Sequence, residues 1–301
     1  MTDNTRAMVL ASFAADALSL SAHWIYDTNQ IDATFGIIDH MLPPGEGSYH
    51  PTKSTGEFTH YGDQTLLLLK HLASNNGFAL ATFAKEWQEF NTTYTGYVDH
   101  STKSTLAALN AGTSPDAGGS SSTDLGGPAR IAPLIYWYAN NPDLLIKAAQ
   151  AQTRFTHAGP GVDVATEFIV KLALLVLEGR SPSEAVHQLV DEGVRDIDLD
   201  IRLRRCLDST FINTRDVIAE FGQMCKVSSA LPGAVHLILT YQGDLREALI
   251  QNVMAGGDSA ARGLVIGMIL GAHQGMDGID ESWLKDMQAT SEINTYLDKR
   301  I

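Results

Sequence analysis

The sequence predicts an all-α fold. Three observations predict it: apolar residues recur at three-to-four spacing along most of the chain, helix start signals stand at the breaks, and alternating apolar runs bounded by hairpin turns are missing. With 301 residues the chain is near the upper size for one hydrophobic core, able to bury about three quarters of its unfolded surface. One domain over residues 1–301 is therefore expected.

The first helix is expected over residues 5–20. It is apolar almost all round, which places it in the interior. No basic stretch precedes it and Asp16 interrupts it, so it reads as a buried helix and not as a signal peptide. Residues 28–61 read as irregular. Helices follow over 63–74, 79–93 and 103–111, then a glycine- and serine-rich stretch over 112–126 that suits a surface loop, mobile or functional.

Further helices are expected over 127–139 and 142–151, where Asn141 precedes Pro142 as a start signal. After an irregular stretch at 154–161 come helices over 162–177, 182–192, 197–207, 213–221, 228–241 and 245–255. Ser181, Pro182 and Glu184 mark the start of the second of these. The helix over 258–272 is again apolar all round and carries Gly263, Gly267 and Gly271, a ridge that admits another helix at close range. A last helix is expected over 281–287.

Composition narrows the function classes. A formal net charge of −14 opposes nonspecific attraction to nucleic acid or anionic lipid, so neither is an expected partner. The apolar stretch over 168–177 contains Lys171 and falls short of the roughly 20 residues that span a bilayer. Cys206 and Cys225 have no motif spacing, which fits a reducing, cytoplasmic setting without disulfides or a zinc finger.

Four constellations carry polar chemistry. Asp16 sits among apolar residues, where a carboxylate either accepts structural hydrogen bonds or serves as an active-site acid. Asp63 falls in the first turn of a helix, as a cap would, with His60 and Tyr61 beside it as pocket wall or surface. Asp258 follows Gly256 and Gly257 and caps the 258–272 helix, with Arg262 one turn on and positioned for an i,i+4 ion pair. The loop containing Ser120, Ser121, Gly126 and Gly127 leads to Arg130, as a weak phosphate cradle would. His23 and His157 read as hydrogen-bonded structural histidines.

Taken in order, these segments resemble the ADP-ribosylglycohydrolase family, which includes the J-crystallins. Ala15, Asp16, Ala17, Leu18 and Ser19 match the end of its first helix. Gly126, Gly127, Arg130, Ile131, Ala132, Pro133 and Leu134 match its glycine loop, and Thr156 and His157 its Thr-His step. Gly256, Gly257 and Asp258, then Gly271, Ala272, Gly275, Trp283 and Leu284, match its C-terminal part.

The resemblance implies hydrolysis of a ribosyl glycosidic bond, an ADP-ribosyl or related nucleotide-sugar substrate, and two Mg²⁺ ions held by Thr-Asp-Asp and Asp-x-Asp-Thr clusters. Here those clusters read Gly62, Asp63, Gln64 and Asp258, Ser259, Ala260, Ala261. One carboxylate remains in each, so at most one Mg²⁺ is expected, held between Asp63 and Asp258, with Arg262 as an alternative occupant of that volume. Asp63 and Asp258 are the expected catalytic acids, and Asp16, His60, Tyr61, Ser120, Ser121, Gly126, Gly127, His157 and Arg262 the expected substrate contacts. The alternative is a pseudoenzyme that binds nucleotide sugars or serves structurally.

Overall fold

A computed structural model describes residues 3–300; Met1, Thr2 and Ile301 of the expected 1–301 span lie outside them. The order of α-helices is α1 (Asp3–Ser19), α2 (Thr28–Phe35), α3 (His60–Asn75), α4 (Leu80–Thr93), α5 (His100–Asn110), α6 (Ala132–Tyr138), α7 (Pro142–Thr156) and α8 (Val162–Leu177). There follow α9 (Pro182–Glu192), α10 (Ile197–Leu207), α11 (Thr214–Phe221), α12 (Val227–Thr240), α13 (Leu245–Met254), α14 (Ser259–Gln274), α15 (Glu281–Asp286) and α16 (Thr290–Leu297). Among the described residues, extended pairing outside helices is confined to two isolated bridges, Ser120 with His157 and Asp124 with Lys226. The fold is all-α.

The centre is α1 against α14, and small residues set their distance. A Cβ on Gly267 would lie 2.3 Å from the Ala11 carbonyl oxygen, and one on Gly271 would lie 2.7 Å from Ala11 Cβ and 2.8 Å from the Ala7 carbonyl oxygen. Ala7, Ala11 and Ala15 on α1 thus form the complement of the glycine ridge on α14, and Ser12 Oγ donates across the seam to the Leu264 carbonyl at 2.9 Å. The remaining helices pack around this pair in one hydrophobic core.

Two helices lie where none was expected. Within the stretch read as irregular, α2 starts where Asp27 caps the Asn29 N–H at 2.9 Å and stops at Gly36 with φ 65°. Near the C-terminus, α16 buries Ile293 and Leu297, one turn apart. The helix expected over 127–139 is divided: a 3₁₀ turn over Pro128–Ile131 precedes α6, whose first turn holds Pro133. Thr59 caps α3 by accepting from the Tyr61 N–H at 3.1 Å, so the helix begins at His60 and carries His60 and Tyr61 inward on its first turn. No helix among the described residues is long and apolar enough to cross a membrane.

Candidate functional site

The site is built on the starts of α3 and α14 and on the turn that follows α1. Asp16, wholly buried in α1, is matched to the start of α3: its Oδ2 accepts the Thr59 N–H at 2.8 Å and its Oδ1 accepts the Thr59 hydroxyl at 2.7 Å. Burial drives its pKa up to about 6 in spite of those two bonds. Gly62 must be glycine, because a Cβ there would lie 2.4 Å from Asp16 Oδ2. Both Asp16 oxygens are engaged in holding the α3 cap.

Asp63, two residues beyond Tyr61, is held by Lys53 Nζ at 2.6 Å and by the Tyr94 hydroxyl, which donates to its Oδ2 at 2.5 Å. Burial raises its pKa and the Lys53 charge opposes the rise. It lines a cavity of about 270 Å³ with Gly56, Glu57, Phe58, Gln288 and Glu292. The neighbouring Gln64 uses its carbonyl oxygen to accept from Trp87 Nε1 at 3.0 Å and from buried Arg130. Its amide lies 3.4 Å from the Thr102 hydroxyl.

Asp258 is wholly buried at the N-cap of α14, where Oδ1 accepts the Ala261 N–H at 3.3 Å. The Tyr61 hydroxyl donates to its Oδ2 at 3.4 Å, and His23 Nδ1 lies 3.7 Å from its Oδ1. Burial raises its pKa, with the nearby Arg262 charge working against the rise. Tyr61 therefore links the start of α3 to the start of α14.

Arg262 does not form the i,i+4 ion pair that its spacing suggests. Its guanidinium turns to the end of α13 and donates to Asn252 Oδ1 at 3.1 Å, to the Asn252 carbonyl at 3.2 Å and to the Gly256 carbonyl at 2.6 Å. Unpaired carbonyls at a helix C-terminus attract a cation, which explains the choice.

The glycine loop is tied down along its length. Ser120 Oγ donates to the Thr156 carbonyl at 2.7 Å, the Leu125 N–H to Cys225 at 2.7 Å and the Val227 N–H to Thr123 at 2.8 Å. Gly126 and Gly127 leave room for rings, since a Cβ would lie 2.3 Å from Tyr61 Cε1 and 2.8 Å from His157 Cβ, respectively. Arg130 donates to Thr156 Oγ1 at 2.6 Å, and that oxygen lies 2.8 Å from His157 Nδ1. Burial, then the Arg130 charge, brings His157 down to about 3. Of the expected loop contacts, Ser121 alone is exposed.

A cluster that the sequence reading did not assemble lies between the two acids' helices. His23, after α1, meets His60 of α3 and His50 of the intervening loop, all three buried. Their ring centroids are 5.4 Å (His23 to His50), 6.1 Å (His23 to His60) and 5.7 Å (His50 to His60) apart. They form the one group of its kind among the described residues that could hold a metal ion. Burial brings His23 well down and His50 to about 3, and each is lowered further by its neighbouring rings. The Trp24 ring stacks on His23 at 4.3 Å, from a backbone at φ 68° that non-glycine residues seldom adopt. His23, Trp24, Tyr26, Asp27, Glu46 and Tyr49 are among the residues lining a second cavity, of about 350 Å³.

His50 had no sequence signal of its own. The one hint was local density: His23, His40, His50 and His60 put four of the ten histidines within a short stretch rich in aromatics.

Known proteins resemble this chain in sequence and in fold. A family model described as ADP-ribosylglycohydrolase matches residues 1–301. Crystallin J1A of Tripedalia cystophora is 23% identical over 313 residues, which cover 99% of this chain and 96% of that protein. ADP-ribosylhydrolase ARH3 of Homo sapiens is 24% identical over 201 residues, covering 56% of this chain and 55% of that protein. A solved structure named "ADP-ribosylglycohydrolase-related protein complex" superposes with a TM-score of 0.79 at 22% identity, covering 99% of this chain and 96% of that one, a likeness of fold. With α1 and α14 at its centre and the family match running from end to end, the chain belongs to the ADP-ribosylglycohydrolase family.

Proposed function

We propose that this chain is a hydrolase that cleaves a ribosyl glycosidic bond, with Asp258 as the acid that manages the water's proton. The observation that carries this reading is the position of Asp258: a buried carboxylate of raised pKa, 3.7 Å from a histidine that lines a 350 Å³ cavity. A carboxylate with a raised pKa is a stronger base than a solvated one, and an imidazole between it and the cavity can pass the proton. Water adds to the sugar carbon as its bond to the aglycone breaks, the water's proton passes by way of His23 to Asp258, and the aglycone leaves with the bonding electron pair and takes a proton from solvent.

The cavity suits part of a nucleotide sugar. Its size lies within the roughly 300–1,000 Å³ of small-molecule sites. Trp24, Tyr26 and Tyr49 offer faces for a ring, while Asp27 and Glu46 can accept from ribose hydroxyls. No Lys or Arg lines it, so it takes the ribose with an uncharged or cationic aglycone and leaves the diphosphate elsewhere.

The Mg²⁺ that the resemblance implies does not fit the donors around Asp63. Lys53 already neutralises that carboxylate at 2.6 Å, and the adjacent Gln64 is engaged by Trp87 and Arg130. Mg²⁺ requires a near-octahedral set of oxygens, and an ammonium at that distance takes the place of one. Asp63 is thus a positioning residue for the start of α3 in this reading.

The test is release of the ribosyl product from ADP-ribosylated protein, ADP-ribosyl esters and simple N-ribosides, followed by chromatography. Turnover is expected with the wild-type protein and a loss of at least about 100-fold in Asp258→Asn. No release from any of these substrates would overturn the reading.

One observation favours a second reading, a binder without turnover: each metal cluster keeps a single carboxylate, and one of these is paired with Lys53. The end-to-end similarity to Crystallin J1A accords with that reading. Heat of binding with ADP-ribose and no product release would establish it.

A further inference from the structure

Three imidazoles meet in the interior, two of them with a carboxylate 3.5–3.7 Å from one ring nitrogen. The ligand atoms of His23, His50 and His60 lie within 4.8 Å of one another, and neither ring nitrogen of any of the three has a protein hydrogen-bond partner. A buried polar group without a partner is costly, and one ring nitrogen from each of the three residues lies close enough to the others to share a single occupant. A neutral imidazole offers one lone pair and one N–H, so each ring can turn its lone pair to a shared electron-pair acceptor while its N–H points away.

We propose that His23, His50 and His60 form a three-imidazole site for a late first-row divalent transition-metal ion, whose ligands are not the family's carboxylates although the site shares His23 and Asp258 with the hydrolase reading. Ring nitrogens suit Zn²⁺, Cu²⁺, Ni²⁺ and Fe²⁺, whereas Mg²⁺ prefers hard oxygen donors. Metal–nitrogen bonds of about 2.0–2.1 Å in a tetrahedron set the nitrogens about 3.4 Å apart. From separations of at most 4.8 Å, side-chain rotation closes the remainder.

Charge and tautomer are provided by the surroundings. Asp258 Oδ1 stands 3.7 Å from His23 Nδ1, and Asp99 Oδ2 stands 3.5 Å from His60 Nε2. A carboxylate beside one ring nitrogen attracts the N–H there, and the other nitrogen keeps its lone pair for a metal. The two carboxylates also balance a divalent charge that neutral imidazoles cannot. Asp99 is fixed for this task, because its Oδ1 caps α5 by accepting the Thr102 N–H at 2.6 Å. Since His23 also lines the 350 Å³ cavity, an ion can reach the cluster from solvent.

The experiment titrates Co²⁺ and Zn²⁺ into the chelator-treated full-length protein, with dialysed metal content as the first readout. Binding of about one equivalent of Co²⁺, with visible d–d absorption of a nitrogen-rich site and displacement by Zn²⁺, is expected. His50→Gln should weaken binding by at least about 100-fold, and Asp99→Asn by about 10- to 100-fold. Should a variant not fold, imidazole ¹⁵N shifts of the wild-type protein report the same contacts, with three of the ten histidines responding to Zn²⁺. A folded wild-type protein that binds no ion, or an equivalent of metal that leaves all three rings unshifted, would overturn the proposal. Because metal content is read without substrate, its failure is distinguishable from failure of the hydrolase reading.

Discussion

Lys53 sets its ammonium 2.6 Å from the Asp63 carboxylate on the first turn of α3, with both side chains largely buried. An ion pair so placed is worth little as a net gain and a great deal when broken on one side. Lys53→Met should destabilise the protein by about 3 kcal/mol near neutral pH. The penalty should vanish in acid, where Asp63 takes up its proton, and the added change Asp63→Asn should restore most of the loss. Urea unfolding of both single variants and the double variant gives the coupling directly.

Asp16 should leave a signature in the pH dependence of stability. Its folded pKa is raised from 3.8 to about 6, so the folded state binds the proton more tightly than the unfolded one. The resulting stabilisation is full below 3.8, declines as pH rises and is gone above about 6. A shift of that size corresponds to about 3 kcal/mol. In Asp16→Asn this decline should disappear, and at neutral pH removal of the buried charge should offset the loss of one Thr59 hydrogen bond, leaving a net change of about 1 kcal/mol or less. Denaturant midpoints measured from pH 4 to 7 test both parts.

Gly267→Ala puts a methyl group 2.3 Å from the Ala11 carbonyl. Helix propensity alone favours alanine by about 1 kcal/mol, yet α1 and α14 cannot separate without opening the core. A net loss of about 1–3 kcal/mol is expected. Thermal unfolding would decide, and a raised midpoint would show the seam to be looser than described.

Arg262→Lys should fail to substitute for the wild type. The planar fork reaches Asn252 Oδ1, the Asn252 carbonyl and the Gly256 carbonyl together, whereas an ammonium is a point charge. Destabilisation of about 2–4 kcal/mol is expected, since carbonyls at the end of α13 lose buried donors. Equal stability of Arg262→Lys and wild type in urea would refute this account.

Where local chemistry decided the structure, the residues announced it. The expected bounds of α8, α9 and α10 coincide with those observed. The start of α9 was readable in the Ser181 and Glu184 capping box, whereas α8 begins after Gly161 at φ 82° and α10 at the Asp196 cap, neither of which the sequence reading had singled out. The glycine ridge was readable too, but its partner was not until α1 supplied Ala7, Ala11 and Ala15. By contrast, α2 is short and half-exposed, so it lacks the apolar stripe that marks longer helices, and Asp27 was its one clear signal.

The site was legible as single residues and not as a constellation. Asp63 and Asp258 stand at helix starts as their neighbours in sequence suggest, but Lys53 and Tyr94 come from other segments and decide what Asp63 does. The direction of the Arg262 side chain depended on carbonyls at the end of α13, which no i,i+4 rule includes. His50 joined His23 and His60 through a loop whose path is set by tertiary contacts, and periodicity carries no information there.

Trp24 and Gly257 are stitched by their main chains: the Trp24 N–H donates to the Gly257 carbonyl at 2.9 Å, and the Gly257 N–H donates to Ile25 at 2.7 Å. The residue after His23 and the residue before Asp258 thereby travel as one rigid piece. The rim of the cavity is coupled to the same piece, since Ser48 Oγ accepts the His50 N–H at 3.0 Å and Tyr49 packs edge-on to Trp24 at 5.0 Å, so a substitution at either residue reaches the imidazoles behind it.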